Sequence, residues 1–499
     1  MAVKMSKTGN AIALIIIAGI VARLALWSIV PVTGDAVYHY SIARFIAATG
    51  RIPSFEFVTG GDPMWYPPAF HILASVFYAV AGSEKVTPLA LSILSLFAYY
   101  ILLKTFYKKL LLPGMALAAF LPVQVYYGAI GYVDCLFLLL APLILYFYLS
   151  FLKKKDYLFL AVTLMLSAVS FLTHYHGFIP IAAIATHLFF RNKKAAVAFF
   201  IAGIAIASPW YLRNYAVFGN PVWPLLFDGK YPAHEGYQPR EMANILTVGK
   251  WQGLFFEYWM GAPNSGEDLA RNIGIAGRYI PFPYAFFIGW LAVVLAGTAL
   301  TAYGTYALLR SDRNRSLFIA LLALSLVPLL LSNFIRMLMF AFPVFILGLA
   351  TGLERLTPKV RRVFLPLGIL ALLAPTFAYA AVYHNIVGNY APFYEEVNAQ
   401  LPKDAVVCNM MDDVFFDRVD RTIVSIGTAG PRVSLECLSG GGDQMECFRK
   451  FGITHTCCTS LRAVNIGGVL KTACDELGQE GPVIAYEEQG VWGRCWSVT

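Results

Sequence analysis

The composition of this 499-residue chain excludes an ordinary soluble protein. Hydrophobic residues make up 58% of the sequence and charged residues only 13%, whereas soluble proteins carry about a quarter charged residues. A soluble surface of this size needs more charge, so lipid must cover much of it.

The net charge of +9 is unevenly distributed along the chain. Nine basic and fifteen acidic residues follow position 384, so the preceding part carries an excess of fifteen positive charges. The Lys and Arg residues of that part form short clusters between apolar runs, which is the pattern of cytoplasmic loops in membrane proteins and not of a nucleic-acid-binding face. We therefore expect membrane lipids, and no nucleic acid, among the partners.

The apolar runs predict about eleven membrane spans. The first run reaches Val32, and because no signal-peptide cleavage site follows it, we interpret it as a retained anchor. A crossing helix needs about 20 apolar residues, which predicts spans near 10–31, 87–106, 111–130, 134–152, 157–173, 177–190, 195–210, 282–308, 316–332, 337–353 and 363–383.

The segment 69–82 is too short for a span and is typical of interfacial or re-entrant segments. If it does not cross, every basic cluster falls on one side of the membrane, and that side is cytoplasmic. The clusters are Lys4/Lys7, Lys104/Lys108/Lys109, Lys153–Lys155, Arg191/Lys193/Lys194, Arg310/Arg313/Arg315 and Arg355/Lys359/Arg361/Arg362. We predict a multi-pass plasma-membrane protein with a cytoplasmic N-terminus and an extracytoplasmic C-terminal domain.

Strand-like and helix-like segments alternate after about residue 400, as in a small α/β domain. AVVCNM, RTIVSI, THTCCTS, VIAYEE and RCWSVT resemble strands, and QMECFRKFG resembles a helix. Seven of the eight cysteines lie here; they either form disulfides outside the cell or are small buried apolar residues. The predicted division is a transmembrane domain at 1–384 and an extracytoplasmic, cysteine-rich domain at 385–499.

Two acidic residues lie where apolar segments begin on the predicted outer side. Asp35 opens the stretch GDAVYHYSIARFIAATG, which predicts an amphipathic helix on the membrane surface. Asp134 lies in GYVDCLFLLLAP, flush against a hydrophobic run, where a carboxylate is costly and by default functional. Each aspartate is either a helix N-cap or a catalytic residue, and for Asp35 the two roles are compatible.

Four basic residues lie at the outer ends of predicted spans. His174 and His176 in LTHYHGF are two positions apart, which on a helix separates them onto different faces and makes them a poor metal pair; they bind substrate or mark an interfacial helix end. Arg213 and Arg336 lie on the side where arginines are scarce. Their guanidinium groups suit a phosphate, and snorkelling to lipid headgroups is the alternative.

Several segments, taken in order, resemble the GT-C superfamily of membrane glycosyltransferases, which take sugars from polyprenyl-phosphate carriers. GDAVYHYSIARFIAATGRIP resembles the first outer loop of that family, and WYPPAFHILASVF resembles the Pro-Pro segment after it. GYVD resembles the second acidic site, SPWYLRNYAVFGNPVWP a stretch of bacterial and archaeal members, and FIRMLMFAFPVF an arginine-then-proline span. The likeness is to the protein mannosyltransferase and aminoarabinose transferase group, with some likeness to oligosaccharyltransferase catalytic subunits.

The resemblance implies an inverting transfer of a sugar from a polyprenyl-phosphate donor to a lipid, glycan or protein acceptor at the outer face. Asp35 would be the general base, and Asp134 would orient its partner or the acceptor. Arg336, with Arg213, would neutralise the lipid phosphate. If a divalent cation such as Mg²⁺ or Mn²⁺ is used, Asp35 and Asp134 would be its oxygen ligands.

The candidate substrate-binding residues implied by the resemblance also include Tyr38 and His39, beside His174 and His176. Two features depart from the family pattern. The tail has no WWD-type motif, so transfer to an asparagine sequon is not expected, and the first loop has one acid where mannosyltransferases often have two. The alternatives are a multi-span transporter, although internal repeats and mid-membrane helix breaks are not evident, and a non-catalytic membrane protein or wall-polymer ligase.

Overall fold

The computed structural model is a helical bundle followed by a small sheet. It describes residues 7–30, 32, 35–53, 64–223, 258–259, 284–331, 335–410, 418–419, 422–426, 444–450, 452–459, 482–488 and 491–498. The bundle helices are α1 (Lys7–Ile29), α2 (Asp35–Thr49), α3 (Ala69–Ala81), α4 (Val86–Phe106), α5 (Leu111–Phe120), α6 (Pro122–Tyr127), α7 (Cys135–Lys154), α8 (Tyr157–Phe171), α9 (Ile179–Phe189), α10 (Lys193–Phe218), α11 (Tyr284–Ser311), α12 (Arg315–Leu331), α13 (Phe342–Arg355) and α14 (Pro358–Gly388).

Within the described ranges, six helices are long and apolar enough to cross a membrane, which makes this a polytopic helical membrane protein. These segments are Thr8–Ile29, Val86–Phe106, Cys135–Lys154, Lys193–Phe218, Ile288–Ser311 and Pro358–Ala378. The predicted count of about eleven is not confirmed, because helices of 17 residues or fewer occupy the other predicted positions: α5 with α6, α8, α9, α12 and α13.

The predicted span at 111–130 is interrupted. α5 ends at Phe120, Leu121 is extended (φ −62°, ψ 125°), and α6 restarts at Pro122. A residue before proline is pushed out of the helical region, and proline has no N–H for the helix ladder. The hydrophobic pattern alone predicted a continuous span at 111–130 and did not indicate this break.

The segment predicted at 69–82 is the 13-residue helix α3, shorter than a crossing helix. It ends at Gly82, whose φ of 69° is left-handed and whose N–H bonds the Tyr78 carbonyl, a common helix stop. α3 packs against α2, which begins at Asp35 as predicted. The two short helices form one unit beside the longer spans.

The ends of the bundle differ in charge. Asp134 precedes α7, His174 follows α8 and Arg336 precedes α13, so these residues belong to one set of helix ends. The opposite ends of the same and neighbouring helices carry the basic residues Lys104, Lys153, Lys154, Lys193, Arg310 and Arg355. The bundle therefore separates a lysine- and arginine-rich end from the end that holds the candidate site residues.

The tail forms the predicted strands: β1 (Val406–Met410), β2 (Thr422–Ile426), β3 (His455–Thr459), β4 (Ile484–Glu488) and β5 (Val491–Ser497), with helices α15 (Ala391–Gln400) and α16 (Gln444–Lys450). The order is β2-β1-β3-β5-β4; β1 is parallel to β2 and β3, and β5 is antiparallel to β3 and β4. The tail has its own hydrophobic core. Since α14 continues to Gly388, the division at 384/385 stays a prediction.

Both alternatives for the tail cysteines occur. Cys457 of β3 and Cys495 of β5 are register partners and form a disulfide, and Cys447 and Cys458 are also disulfide-bonded. Cys408 is a free, buried thiol. Cys437 and Cys474 lie outside the described residues.

Candidate functional site

A buried carboxylate lies where α7 begins. Asp134 directly precedes this helix, is 1% exposed and forms no capping hydrogen bond, so the helix-cap interpretation is wrong for Asp134. Its Oδ1 lies 3.2 Å from Nε2 of His176, and its Oδ2 lies 3.6 Å from Nε of Arg336. Residues from three distant parts of the sequence therefore meet, with a basic group facing each carboxylate oxygen.

The two histidines of LTHYHGF converge. His174 has an extended backbone (φ −158°, ψ 156°), and His176 lies in the 3₁₀ turn Tyr175–Phe178, so their Nδ1 atoms come within 2.7 Å. Gly177 permits this tight turn, because a Cβ there would overlap the Ser170 carbonyl. The expectation that a spacing of two separates the imidazoles is wrong, since it assumed a regular helix.

Arg336 contacts two residues of the turn that precedes α7, Tyr132 and Asp134. It lies in the 3₁₀ turn Ile335–Leu338 and is 7% exposed. Its guanidinium sits over the Tyr132 ring, 4.8 Å from the centroid, a favourable cation–π contact. Tyr132 and Asp134 are two residues apart, so one turn supplies both a ring and a charge to the arginine. Arg336 is thus buried within the protein.

A second histidine pair adjoins the first through Tyr66. Nδ1 of His39 lies 3.0 Å from Nε2 of His71, and both side chains are buried. The centroid of the Tyr66 ring lies 4.7 Å from the ring centroid of His39 and 5.6 Å from that of His174. His71 was not predicted as a site residue. The sequence did indicate it by its position near the start of α3, in the segment WYPPAFHI, but that segment was interpreted only as an interfacial helix.

Two further predicted site residues, Tyr38 and Asp35, lie on α2. Tyr38 is buried and packs against His39 and Tyr66, at ring distances of 5.0 and 5.4 Å. Asp35 is the first residue of α2, but its side chain lies outside the described residues. Positions 35 and 39 are one helical turn apart and share a face of α2. The role of Asp35 stays a prediction.

Arg213 has described contacts with the segment before α3. Its guanidinium donates to the Met64 carbonyl and to Oδ1 of Asn214, and lies over the Trp210 ring, 4.9 Å from its centroid. These contacts connect Arg213 to residue 64, directly before Trp65. The predicted pairing of Arg213 with Arg336 at a phosphate stays untested.

Burial and charge set the protonation states of these groups, which lie outside the spans. Burial alone would raise the pKa of Asp134, but the contact with His176 and the charge of Arg336 outweigh it and lower that pKa to about 2. Burial lowers the pKa of His39 well below its ordinary value, with further lowering by His71 and Arg336, and burial lowers the pKa of His71 to about 3. At neutral pH the Asp134 carboxyl group is therefore ionised, and the imidazoles of His39 and His71 are neutral.

The chemistry of this group suits a metal ion of the zinc class. Asp134, His174 and His176 each offer one ligand atom, all within 4.8 Å of one another. Among the described residues, Oδ1 of Asp134 and Nε2 of His176 have no aligned hydrogen-bond partner; their 3.2 Å separation is close to the edge of about 3.3 Å in a tetrahedral site with ligands at about 2.0 Å. Imidazole ligands suit zinc better than the Mg²⁺ or Mn²⁺ expected from the sequence.

No protein-family model matches the sequence, and no curated protein matches it either. Solved structures do match. ArnT from Cupriavidus metallidurans, bound to undecaprenyl phosphate, aligns with a TM-score of 0.60 and 12% identity over 98% of each chain. The archaeal oligosaccharyltransferase AglB from Archaeoglobus fulgidus, in complex with an inhibitory peptide and a dolichol-phosphate, aligns with a TM-score of 0.52 and 15% identity over 96% of this chain and 74% of its own.

The mycobacterial arabinofuranosyltransferase AftD has a TM-score of 0.52 and 15% identity over 97% of this chain and 40% of its own. All three are GT-C glycosyltransferases. This chain has the GT-C fold. Because the ArnT alignment covers 98% of both chains, the GT-C likeness includes the tail as well as the helical bundle, and the resemblance noted in the sequence is confirmed at the level of the fold.

Proposed function

We propose that the protein transfers a sugar from a polyprenyl-phosphate donor to an acceptor at the extracytoplasmic face of the plasma membrane. The observation that carries this proposal is the buried Asp134–Arg336 pair with its histidines, at one end of a GT-C bundle. ArnT binds undecaprenyl phosphate and AglB a dolichol-phosphate, and a lipid phosphate is the kind of group that an arginine near the membrane rim binds well.

The basic clusters supply the orientation. They lie at the helix ends opposite Asp134, His174 and Arg336, and short basic loops stay in the cytoplasm. With that orientation the site and the tail face outward. The disulfide Cys457–Cys495 supports the same side, since disulfides persist in oxidising compartments.

Arg336 would bind and neutralise the phosphate that leaves with the lipid. Preorganised positive charge at the departing group lowers the barrier because it costs no reorganisation during the reaction. Asp134 would act as a positioning residue, since its carboxylate contacts Nε of Arg336 and Nε2 of His176 from a buried position.

A small apolar cavity lies near the polar cluster. It is formed between α7, α9, α12 and α13 and is lined by residues such as Ile144, Ile184 and Leu321. Phe340 lines this cavity, and its ring also lies 6.2 Å from the His176 ring. An isoprenoid chain that packs against this apolar lining would have its phosphate on the side of the polar cluster.

Asp35 would take the proton from the acceptor hydroxyl. As that oxygen bonds to the anomeric carbon, the bond from this carbon to the lipid phosphate breaks and the phosphate keeps the electron pair, so the configuration inverts. Position 35 lies one helical turn before His39, and the Tyr66 ring packs against both His39 and His174; this supports Asp35 as the candidate base. General-base help of this kind contributes about 10²–10⁴-fold in rate.

A zinc-class ion, when held by Asp134, His174 and His176, would supply further positive charge against a phosphate. The substrate-binding set is Tyr38, His39, His174 and His176, the aromatic and imidazole side chains around Tyr66. The acceptor is a lipid, a glycan or a protein.

The direct experiment uses the purified protein in liposomes with a panel of polyprenyl-phosphate sugars. We expect one donor to lose its sugar and yield free polyprenyl phosphate. Arg336→Ala should weaken donor use, and Arg336→Lys should restore it only partly because a point charge replaces a fork. Movement of an intact lipid-linked sugar across the bilayer, without loss of the sugar from any donor, would instead support the transporter alternative.

A further inference from the structure

A second arginine, Arg23, is buried inside the first span. It lies six residues, about 9 Å, before the end of α1 and is 0% exposed. A guanidinium inside a span is expensive and by default functional. Its described partners are all neutral: Nε donates to Ser92 Oγ (2.6 Å), and the terminal nitrogens donate to the carbonyls of Gly19 (3.1 Å), Ala119 (2.6 Å) and Ala118 (3.0 Å).

Two of these carbonyls have lost their helical donors. In a continuous helix, the Ala118 carbonyl would accept from the N–H of residue 122, but Pro122 has none. The Ala119 carbonyl would accept from Val123, which lies beyond the extended residue Leu121. Arg23 donates to both carbonyls and thereby caps the broken end of α5, which replaces bonds that a lipid environment could not supply.

The same arginine is connected to the chain beyond the break. Ser92 Oγ, which accepts from Arg23, lies 3.5 Å from the Gln124 carbonyl of α6. Gly128, just after α6, packs against that hydroxyl so closely that a Cβ would overlap it. Seven residues, 128–134, then lead to α7 and carry both Tyr132 and Asp134. These contacts connect the α5 break to the start of this turn.

We propose that Arg23 is a positioning residue that fixes the α5–α6 break and thereby holds Tyr132 and Asp134 against Arg336. Its effect on catalysis rests on the proposed transferase function; its effect on geometry does not. A residue that only filled space in α1 would leave the 128–134 turn in place when it is replaced by an apolar side chain.

Among the described residues, two free, buried cysteines provide a readout that needs no activity. Cys135 follows Asp134 directly, and Cys408 lies in the tail. In Arg23→Leu, reaction of Cys135 with N-ethylmaleimide should accelerate by about tenfold or more as the turn opens locally, while Cys408 reacts at the wild-type rate. Sugar transfer should fall by about a hundredfold, the typical cost of a displaced site residue. Arg23→Lys should be intermediate, because one ammonium replaces a fork that reaches four acceptors.

Pro122→Ala is the second variant and keeps Arg23. The new N–H competes for the Ala118 carbonyl and favours a continuous α5, so Cys135 should again react faster and transfer should fall. Wild-type protection of Cys135 in Pro122→Ala or in folded Arg23→Leu would overturn the proposal. If the wild-type protein transfers no sugar at all, the proposed function fails, but the cysteine rates still decide whether Arg23 positions the turn.

Discussion

The buried pair formed by Asp134 and Arg336 allows a quantitative test in which each charge is removed alone and then both together. Asp134→Asn keeps the shape of the side chain but leaves Arg336, only 7% exposed, without its carboxylate. Arg336→Met leaves Asp134, 1% exposed, as a buried anion beside His176. The double variant contains neither charge.

The magnitude follows from the geometry. At the 3.6 Å separation of Nε and Oδ2, two unit charges interact by about 5 kcal/mol at an effective dielectric constant of about 20. Loss of one partner of a buried pair typically costs about 3–5 kcal/mol, because the other charge stays buried and uncompensated. We therefore expect each single substitution to destabilise by that amount, and the double variant to lose clearly less than the sum.

The assay is reversible unfolding in mixed detergent–SDS micelles, followed by circular dichroism, for the four members of the double-mutant cycle. The matched control is the pair Arg361–Glu354, whose side chains are 30% and 33% exposed; its cycle should give a coupling of about 1 kcal/mol or less. Additive losses at Asp134 and Arg336, equal to those of the control pair, would refute the claim that these residues form a coupled buried pair.

Three further predictions concern protonation, metal and topology. Burial lowers the pKa of His71 to about 3, so the unfolded chain binds the His71 proton more tightly than the folded chain does. The contribution of His71 to stability is therefore fully present above about pH 6.5 and is lost as the pH drops toward 3. At pH 5 the loss from this residue is about 2 kcal/mol. His71→Phe should flatten the fall of the melting temperature between pH 7 and 5, and an unchanged slope would contradict this. The purified protein should bind about one zinc ion per chain by elemental analysis; His176→Ala should lower that content and His187→Ala, at a buried histidine elsewhere, should not, so equal zinc in both variants would exclude the site. A membrane-impermeant maleimide should label Glu395→Cys in intact cells and Lys154→Cys only after lysis, and the reverse pattern would invert the topology.

Local signals made much of the fold predictable. The five strands of the tail follow from short β-rich segments bounded by polar turns, and α3 ends at Gly82 because glycine adopts the left-handed conformation easily. The lysine and arginine clusters identified one end of the bundle, since they follow the ends of long apolar runs. The candidate residues Asp134 and Arg336 could also be predicted from the sequence, because charges are rare beside such apolar runs.

The meeting of the site residues could not be predicted from the sequence, because it depends on backbone geometry that hydrophobic periodicity does not encode. His174 meets His176 only because the chain is extended at His174 and turns tightly at Gly177. His71 enters the site through the packing of α3 against α2. The break at Pro122 has a visible cause in the sequence, but Arg23, its partner, lies about a hundred residues earlier.

The role of Asp35 as the general base is tested most directly by a single turnover of bound donor in the Asp35→Asn variant. Asparagine keeps an oxygen that can cap α2, so the variant should fold normally and lose at most about 1 kcal/mol, while loss of the proton acceptor should slow transfer by about a hundredfold or more. Donor binding, measured in the same sample, should stay at the wild-type level. Glu395→Gln, at an exposed carboxylate of α15, is the matched control and should transfer normally. An Asp35→Asn protein that transfers sugar at the wild-type rate would contradict the account and restrict Asp35 to a capping role.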